Sequence, residues 1–275
     1  VDINNLTSDV ISCVHEAGRF LQKERLRIDE ADIGIKGPGD FVSQADRTAE
    51  SMLKERLLRI LPGSVFMGEE NSPDVSGGDG WRWIVDPLDG TTNYLQGIPI
   101  YAISVALEDR RKIKSNWGDI TLAVVHLPEL DLTFDAIRGG GARKNGAAIQ
   151  VRQISDFSRV VLATGFPFRN KDVVDQYLAV FKSMTLKVGN IRRIGSAAVD
   201  LAWLASGTFD GFWEVGLKPW DIAAGILLIE EAGGIVTDFR GGNPLENGWI
   251  VAGSKNVYDV LFEVINEHFP ERIFI

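Results

Sequence analysis

Residues 83–93, WIVDPLDGTTN, place two aspartates three positions apart at the end of an apolar run, followed by a glycine and two hydroxyl residues. Pro87 cannot donate to a strand ladder, so Asp86 is expected to end the strand and the chain to turn sharply after it. Asp86, Asp89 and the Leu88 carbonyl can then face one point. Two carboxylates and a carbonyl are hard oxygen donors, the set that Mg²⁺ prefers. Gly90 permits close backbone approach, and the N–H groups of Gly90, Thr91 and Thr92 can form an anion-binding concavity. The chemistry this spacing suggests is a divalent cation on the acids and a phosphate on the turn. Taken alone, the same stretch reads about equally well as a helix start capped by Asp89.

Three other acids stand in comparable places. GEEN (68–71) sets Glu69 just after a strand-like run and a glycine, and KPWDIAAG (218–225) sets Asp221 at the head of an apolar helix. DFVSQAD (40–46) does the same for Asp46. Each of these alone is more often a helix cap or a surface acid than a ligand.

The elements that must position these residues fall into two halves. Helical spacing covers about 6–26, and a segment broken by glycine and proline, IGIKGPGDFVSQAD, precedes a second helix, RTAESMLKERLLRIL. Strands are expected at SVFMGEE, WRWIVD, YAISVAL, ITLAVVHL and LTFDAI, with a Ser/Gly/Asp-rich loop at 71–80 and RGGGARKNG as a glycine-rich turn. Beyond about residue 150, strands RVVLATGF, FDGFWEVG, IVTDF and WIVAG alternate with helices at 170–185, GSAAVDLAWLASG, DIAAGILLIEEAGG and 256–268. The pattern is an α+β part, 1–150, joined to an α/β part, 151–275, as subdomains of one unit.

Composition narrows the partners. The 275 residues carry a formal net charge of −9, which disfavours nucleic acid, and the basic clusters KERLR, DRRKIK and IRR read as solvated surface. Metal cations would be needed to reverse the sign at a phosphate site. No apolar run approaches the roughly 20 residues that span a bilayer. The first residues lack a signal-peptide pattern. The single cysteine, Cys13, lies in an amphipathic helical pattern and reads as a buried structural thiol in a reducing compartment, the cytoplasm. His15, His126 and His268 show no metal spacing, so zinc is not expected.

In combination, GEE, DPLDGTTN and WDIAAG, with DFVSQAD, ATGFPF, GSAAVDLAWLASGTFDGFWEVG and GWIVAG, closely resemble the inositol monophosphatase family, nearest to its bacterial branch. The resemblance implies a layered αβαβα sandwich and two or three Mg²⁺ ions per site. Glu69, Asp86 and the Leu88 carbonyl would hold the first ion; Asp86, Asp89 and Asp221 the second; Glu69 would help hold a third. Thr91, paired with Asp46, would orient and help deprotonate the attacking water, with Glu69 also at the reacting centre. The backbone of Gly90 and Thr91, beside Asp89, would grip the phosphate. Gly195, Ser196, Ala197 and Glu214 match positions that contact substrate hydroxyls, and Lys36 lies in a loop that closes near the metals.

The implied activity is hydrolysis of inositol 1-phosphate by direct attack of water, in a Li⁺-sensitive homodimer. DGTTN, without the lysine typical of the nucleotide and histidinol phosphatase relatives, favours that substrate. Fructose 1,6-bisphosphatase or a broader sugar or nucleotide phosphatase remains the alternative. A partner-binding regulator that keeps the fold is the alternative of another class. Two departures stand out: 108–120 is longer than the usual hairpin, and His126-Leu127 replaces the usual Tyr-Asp before Pro128. A surface turn and a tolerated strand substitution explain both.

Overall fold

The computed structural model describes residues 2–27, 33–37, 40–70, 80–112 and 117–269. Its elements begin with α1 (Ile3–Arg25), β1 (Ile33–Gly37), β2 (Asp40–Ser43), α2 (Gln44–Ile60), β3 (Val65–Gly68), β4 (Trp81–Asp89) and α3 (Thr91–Leu95). Then come β5 (Ala102–Asp109), β6 (Asp119–Leu127), β7 (Leu132–Ile137), β8 (Gly141–Lys144), β9 (Ala147–Ile149) and β10 (Val161–Thr164). The chain ends through α4 (Val174–Thr185), β11 (Asn190–Arg192), α5 (Ala197–Ala205), β12 (Gly211–Glu214), α6 (Pro219–Glu231), β13 (Ile235–Thr237), β14 (Ile250–Gly253) and α7 (Lys255–His268).

Two sheets organise the molecule. The first holds seven strands in sequence order, β3 to β9, parallel only between β3 and β4. The second has the order β11-β10-β12-β14-β13, parallel on the β11-β10-β12 side.

Strand alternation explains the layers. On β4, β5 and β6, Trp83, Val85, Val105, Leu122 and Val124 face one way and pack with Val10, Val14, Leu53 and Leu57 of α1 and α2. Ile84, Ala106, Ala123 and Val125 face the other way, onto α5 and α6, with Leu201, Ile222 and Leu227. A strand buried on both faces reads as a continuous apolar run, as these do. α6 buries every residue from Asp221 to Ile229, the signature of a helix enclosed on all sides. The five-stranded sheet covers α5 and α6 from beyond through Ala163, Phe212 and Ala252. Its outer face packs Leu162, Trp213 and Val251 against Tyr177, Val180 and Leu261 of α4 and α7. The result is the αβαβα sandwich, with α5 and α6 as its middle layer.

Several expectations need correction. RGGGARKNG is not merely a turn: residues 141–144 form β8, paired to both β7 and β9. IGIKGPGDFVSQAD contains the antiparallel pair β1–β2. The side chain of Lys36 lies outside the described residues, as do 71–79 and the middle of the long 108–120 segment. KERLR is only partly solvated, since Arg25 pairs with Glu129 at 2.6 Å and lies over the Tyr101 ring. His126 sits buried in β6 beside His15, their ring centroids 4.6 Å apart, and both share the Thr133 hydroxyl. Cys13 is buried, and burial pushes its thiol up. Among the described residues no helix is long and apolar enough to cross a membrane.

Candidate active site

Strand β4 does not stop at Asp86. Its pairing with β5 runs Asp86↔Ser104 and then Asp89↔Ala102, so three steps on β4 oppose two on β5. That is a bulge of one residue. In a regular strand residues 86 and 89 would point to opposite faces, and the extra residue brings them to the same one. Pro87 is tolerated because β3 pairs only as far as Gly68↔Val85, leaving no ladder partner for a missing N–H on that side.

Beyond the bulge Gly90 takes φ +96°, the left-handed region that favours glycine, and opens α3. Asn93 fastens this turn by donating to the carbonyls of Ile100 (2.7 Å) and Ile194 (3.0 Å). Residues 194–196 are thereby held against the β4 turn.

Carboxylate oxygens of Asp86, Asp89 and Asp221 all lie within 4.8 Å of one another. Asp221 comes from the first turn of α6, where it also caps, accepting from the Lys218 N–H at 2.7 Å. Asp86 accepts from the Leu88 N–H at 2.9 Å. One oxygen of Asp89 receives both the Ser196 hydroxyl (2.7 Å) and the Ala198 N–H (2.6 Å) at the start of α5. Burial raises all three acids above the ordinary carboxylate range, Asp89 to about 6 and Asp221 to about 8, and mutual repulsion with Glu69 adds to it. Like charges this close are stable together only with protons or with a cation among them. Three hard oxygen donors, Asp86 and Asp221 buried and Asp89 half-buried, with Glu69 alongside, fit a divalent cation such as Mg²⁺.

Thr91 donates toward Asp46 Oδ1 (3.2 Å) and the Leu88 carbonyl (3.1 Å). Asp46 is buried in the first turn of α2. Glu69 follows β3, and its loop is tied to α2 by the Glu70 N–H donating to Glu50 Oε2 at 2.7 Å. Gly68 leaves room for that contact: a Cβ there would stand 2.3 Å from the same oxygen.

These acids form one end of a cleft of about 550 Å³. Gly90, Thr91, Gly195, Ser196, Ala197 and Glu214 line it, so every sequence-selected site residue outside Lys36 and Asp46 contributes to its wall. Glu214, at the end of β12, lies against Gly165, where a Cβ would stand 1.9 Å from its Oε1. Burial first, then the Asp221 and Asp89 charges, raise Glu214 to about 8.

Sequence reasoning missed four contributors. Arg193, in the IRR run, is exposed as expected but also lines the cleft, its guanidinium over Phe166 and Phe168 at 5.9 and 5.6 Å from the ring centroids. Arg169 lines it too, and its charge acts to lower Asp89, Glu214 and Asp221. Asp200 reaches the cleft from α5, and Glu50 holds the Glu69 loop. Acids inside otherwise apolar or amphipathic helices, Asp200 and Glu50, were the available signal.

A two-sheet sandwich with an acidic cluster drawn from β4 and the head of α6, at a cleft beside the Gly90 turn, is the arrangement of a metal-dependent phosphatase class. The inositol monophosphatase family model matches residues 3–272, and the chain belongs to that family. It is 44% identical over 269 residues to an inositol-1-monophosphatase of Rhizobium meliloti, covering 97% of this chain and 98% of the relative. It is 38% identical to a Nus factor SuhB of Pseudomonas aeruginosa, covering 96% of each. Among solved structures, the extragenic suppressor protein suhB of Bartonella henselae matches with a TM-score of 0.89 and 38% identity, covering 96% of this chain and all of that one.

Proposed function

We propose that the protein is a Mg²⁺-dependent phosphomonoesterase that hydrolyses inositol 1-phosphate to inositol and phosphate by direct attack of water. The observation that carries this reading is the triad Asp86, Asp89 and Asp221, gathered within 4.8 Å in a cleft that Glu214 also lines. Glu69, Asp86 and the Leu88 carbonyl would hold one ion, Asp86, Asp89 and Asp221 a second, and Glu69 would help hold a third. When bound, the ions offset the ester's two charges, lower the pKa of water and stabilise the departing alkoxide.

The chain's own residues do the rest. Thr91 has one hydroxyl proton, and giving it to Asp46 leaves its oxygen free to accept from the attacking water. Gly90 and Thr91 hold the phosphate by backbone N–H groups. Glu214 and the 195–197 turn orient the polyol. Lys36 belongs to the same reading through a loop that would close near the metals. No Cys or His nucleophile is required. The two sheets act as subdomains, 1–150 and 151–275, of one cytoplasmic, Li⁺-sensitive homodimer; light scattering that returned a stable monomer would remove the dimer.

The test is phosphate release from inositol 1-phosphate, fructose 1,6-bisphosphate and adenosine 3′,5′-bisphosphate, each with Mg²⁺ and with EDTA. Mg²⁺-dependent release fastest from inositol 1-phosphate is expected. A preferred bisphosphate keeps the metal reading and overturns the substrate. A second reading, a partner-binding regulator on the phosphatase fold, draws on the relatives named Nus factor SuhB. Absence of release from all three would shift the weight to it.

A further inference from the structure

We propose that Asp200 is a hydroxyl-binding residue of the cleft, which with Glu214 receives a hydroxyl group of a polyol monophosphate and so sets preference for polyol over plain phosphate esters. The inference rests on the phosphatase reading above and extends it to a residue no part of that reading uses.

Asp200 is the fourth residue of α5, in a helix whose other buried members are Ala197, Ala198, Val199, Leu201, Ala202, Leu204 and Ala205. An acid in the middle layer of a sandwich is costly unless something answers it. Asp200 is 1% exposed, and among the described residues its Oδ1 has no hydrogen-bond partner. Among the described residues no salt bridge neutralises it; the charges it feels most are Glu214 and Asp89, both of its own sign, with Arg193 opposing. Packing alone would be served better by leucine or alanine at this position. Asp200 is, however, one of the residues lining the cleft. A buried carboxyl oxygen left unanswered by the protein and set in a ligand cleft is a ready partner for a donor that arrives with the ligand.

The neighbouring geometry indicates what kind of donor. Glu214 occupies the slot that Gly165 leaves open, and its charge is the first that acts on Asp200, so a second carboxyl stands near it in the same cleft. Two carboxyl groups whose first charged neighbours are other carboxyls suit neutral hydroxyls, which donate and accept, while Arg193 and Arg169 in the same cleft offset part of their charge. A site built to hydrogen-bond a hydroxyl strongly disfavours an analogue that lacks it, because the buried group is then left unpaired.

The experiment compares kcat/KM for inositol 1-phosphate with kcat/KM for p-nitrophenyl phosphate, which has no hydroxyl, in saturating Mg²⁺. In Asp200→Ala the ratio is expected to fall about tenfold or more relative to the unsubstituted protein, chiefly through KM. Asp200→Asn, which keeps the volume and one acceptor, is expected to recover part of it, and stands in if the alanine variant does not fold. Equal losses on both substrates, or an unchanged ratio, would mean that Asp200 holds only water or packing, and would overturn the proposal. Fructose 1,6-bisphosphate is run alongside. Should it prove the preferred substrate, the inositol reading fails while the ratio taken with it still judges Asp200. Hydrolysis of p-nitrophenyl phosphate alone overturns both.

Discussion

Asp86 and Asp89 share one face of β4 because the strand carries one more residue than β5 between the pairs Asp86↔Ser104 and Asp89↔Ala102. The metal-type cluster is therefore a consequence of strand register. Asp221 joins it from α6, a helix already fixed by burial between the sheets. Asp89 is held further by the Ser196 hydroxyl and the Ala198 N–H, so α5 sets its carboxylate as much as β4 does.

Asp89→Asn removes a charge from that cluster while leaving a side chain of the same shape. Turnover in Mg²⁺ should fall by about 10³-fold, which corresponds to ~4 kcal/mol of transition-state stabilisation. Folding should survive, with an unchanged or slightly higher Tm in EDTA, since one buried like charge is gone. Steady-state kinetics beside calorimetry checks both. Near-normal turnover would remove Asp89 from the metal set.

Much of this site was legible because its parts are local. DPLDGTTN and WDIAAG carry their acids and turns within eight residues or fewer, and the apolar runs on either side reveal a sandwich. What escaped depends on packing between distant segments. Pro87 was taken as a strand end, because hydrophobic periodicity does not register an extra residue inside a ladder. The strand β8 was hidden by three successive glycines, of which 139 and 140 serve the turn before it and Gly141 opens the strand. Arg193 sits in a short basic run that charge counting assigns to solvent, and it is exposed, but only the fold brings its guanidinium over two phenyl rings at the cleft. Ser196 lines the cleft, and the bond its hydroxyl donates to Asp89 could not be read from sequence.

Metal-free stability should depend on pH through the same acids. Asp221 and Asp89 keep protons in the folded state, to about pH 8 and about pH 6, where the unfolded chain releases them near 3.8. The folded state then binds more protons, so stability in EDTA falls as pH rises through that window. Mg²⁺ should reverse the trend, raising Tm more at pH 8 than at pH 6 and releasing protons as it binds. Calorimetry at both pH values, with EDTA or Mg²⁺, decides it. An equal Mg²⁺ shift at both would contradict the proton-for-cation exchange.

An opposite trend is expected at lower pH from His126. Burial first, then the neighbouring His15 charge, depress its pKa from 6.5 to about 4, against weaker opposition from Asp131, with Arg19 acting in the same sense as His15. Its unfolded form takes up a proton that the folded form refuses, so stability is lost as pH falls from about 6.5 to about 4. The loss is on the order of 3 kcal/mol. His126→Gln keeps a polar group beside the Thr133 hydroxyl and should flatten this limb. Urea midpoints at pH 7 and pH 4.5 provide the measurement; parallel losses in both proteins would exclude His126 as the source.

Gly165→Ala tests whether the slot for Glu214 matters to substrate choice. The added methyl would stand 1.9 Å from Glu214 Oε1 and 2.1 Å from its Cδ, too close for any rotamer adjustment of the methyl, so Glu214 must move. It lies at the end of β12, paired to Ile250 of β14, and its backbone is fixed; only the carboxylate can swing away. The triad Asp86, Asp89 and Asp221 is drawn from β4 and α6 and should be undisturbed. The expected result is a rise in KM for inositol 1-phosphate of about tenfold, the scale of one lost hydroxyl contact, with the Mg²⁺ dependence of turnover unchanged. A fall in kcat with a shifted Mg²⁺ requirement would mean instead that Glu214 is coupled to the cation site through Asp221, the first of the charges that act on it.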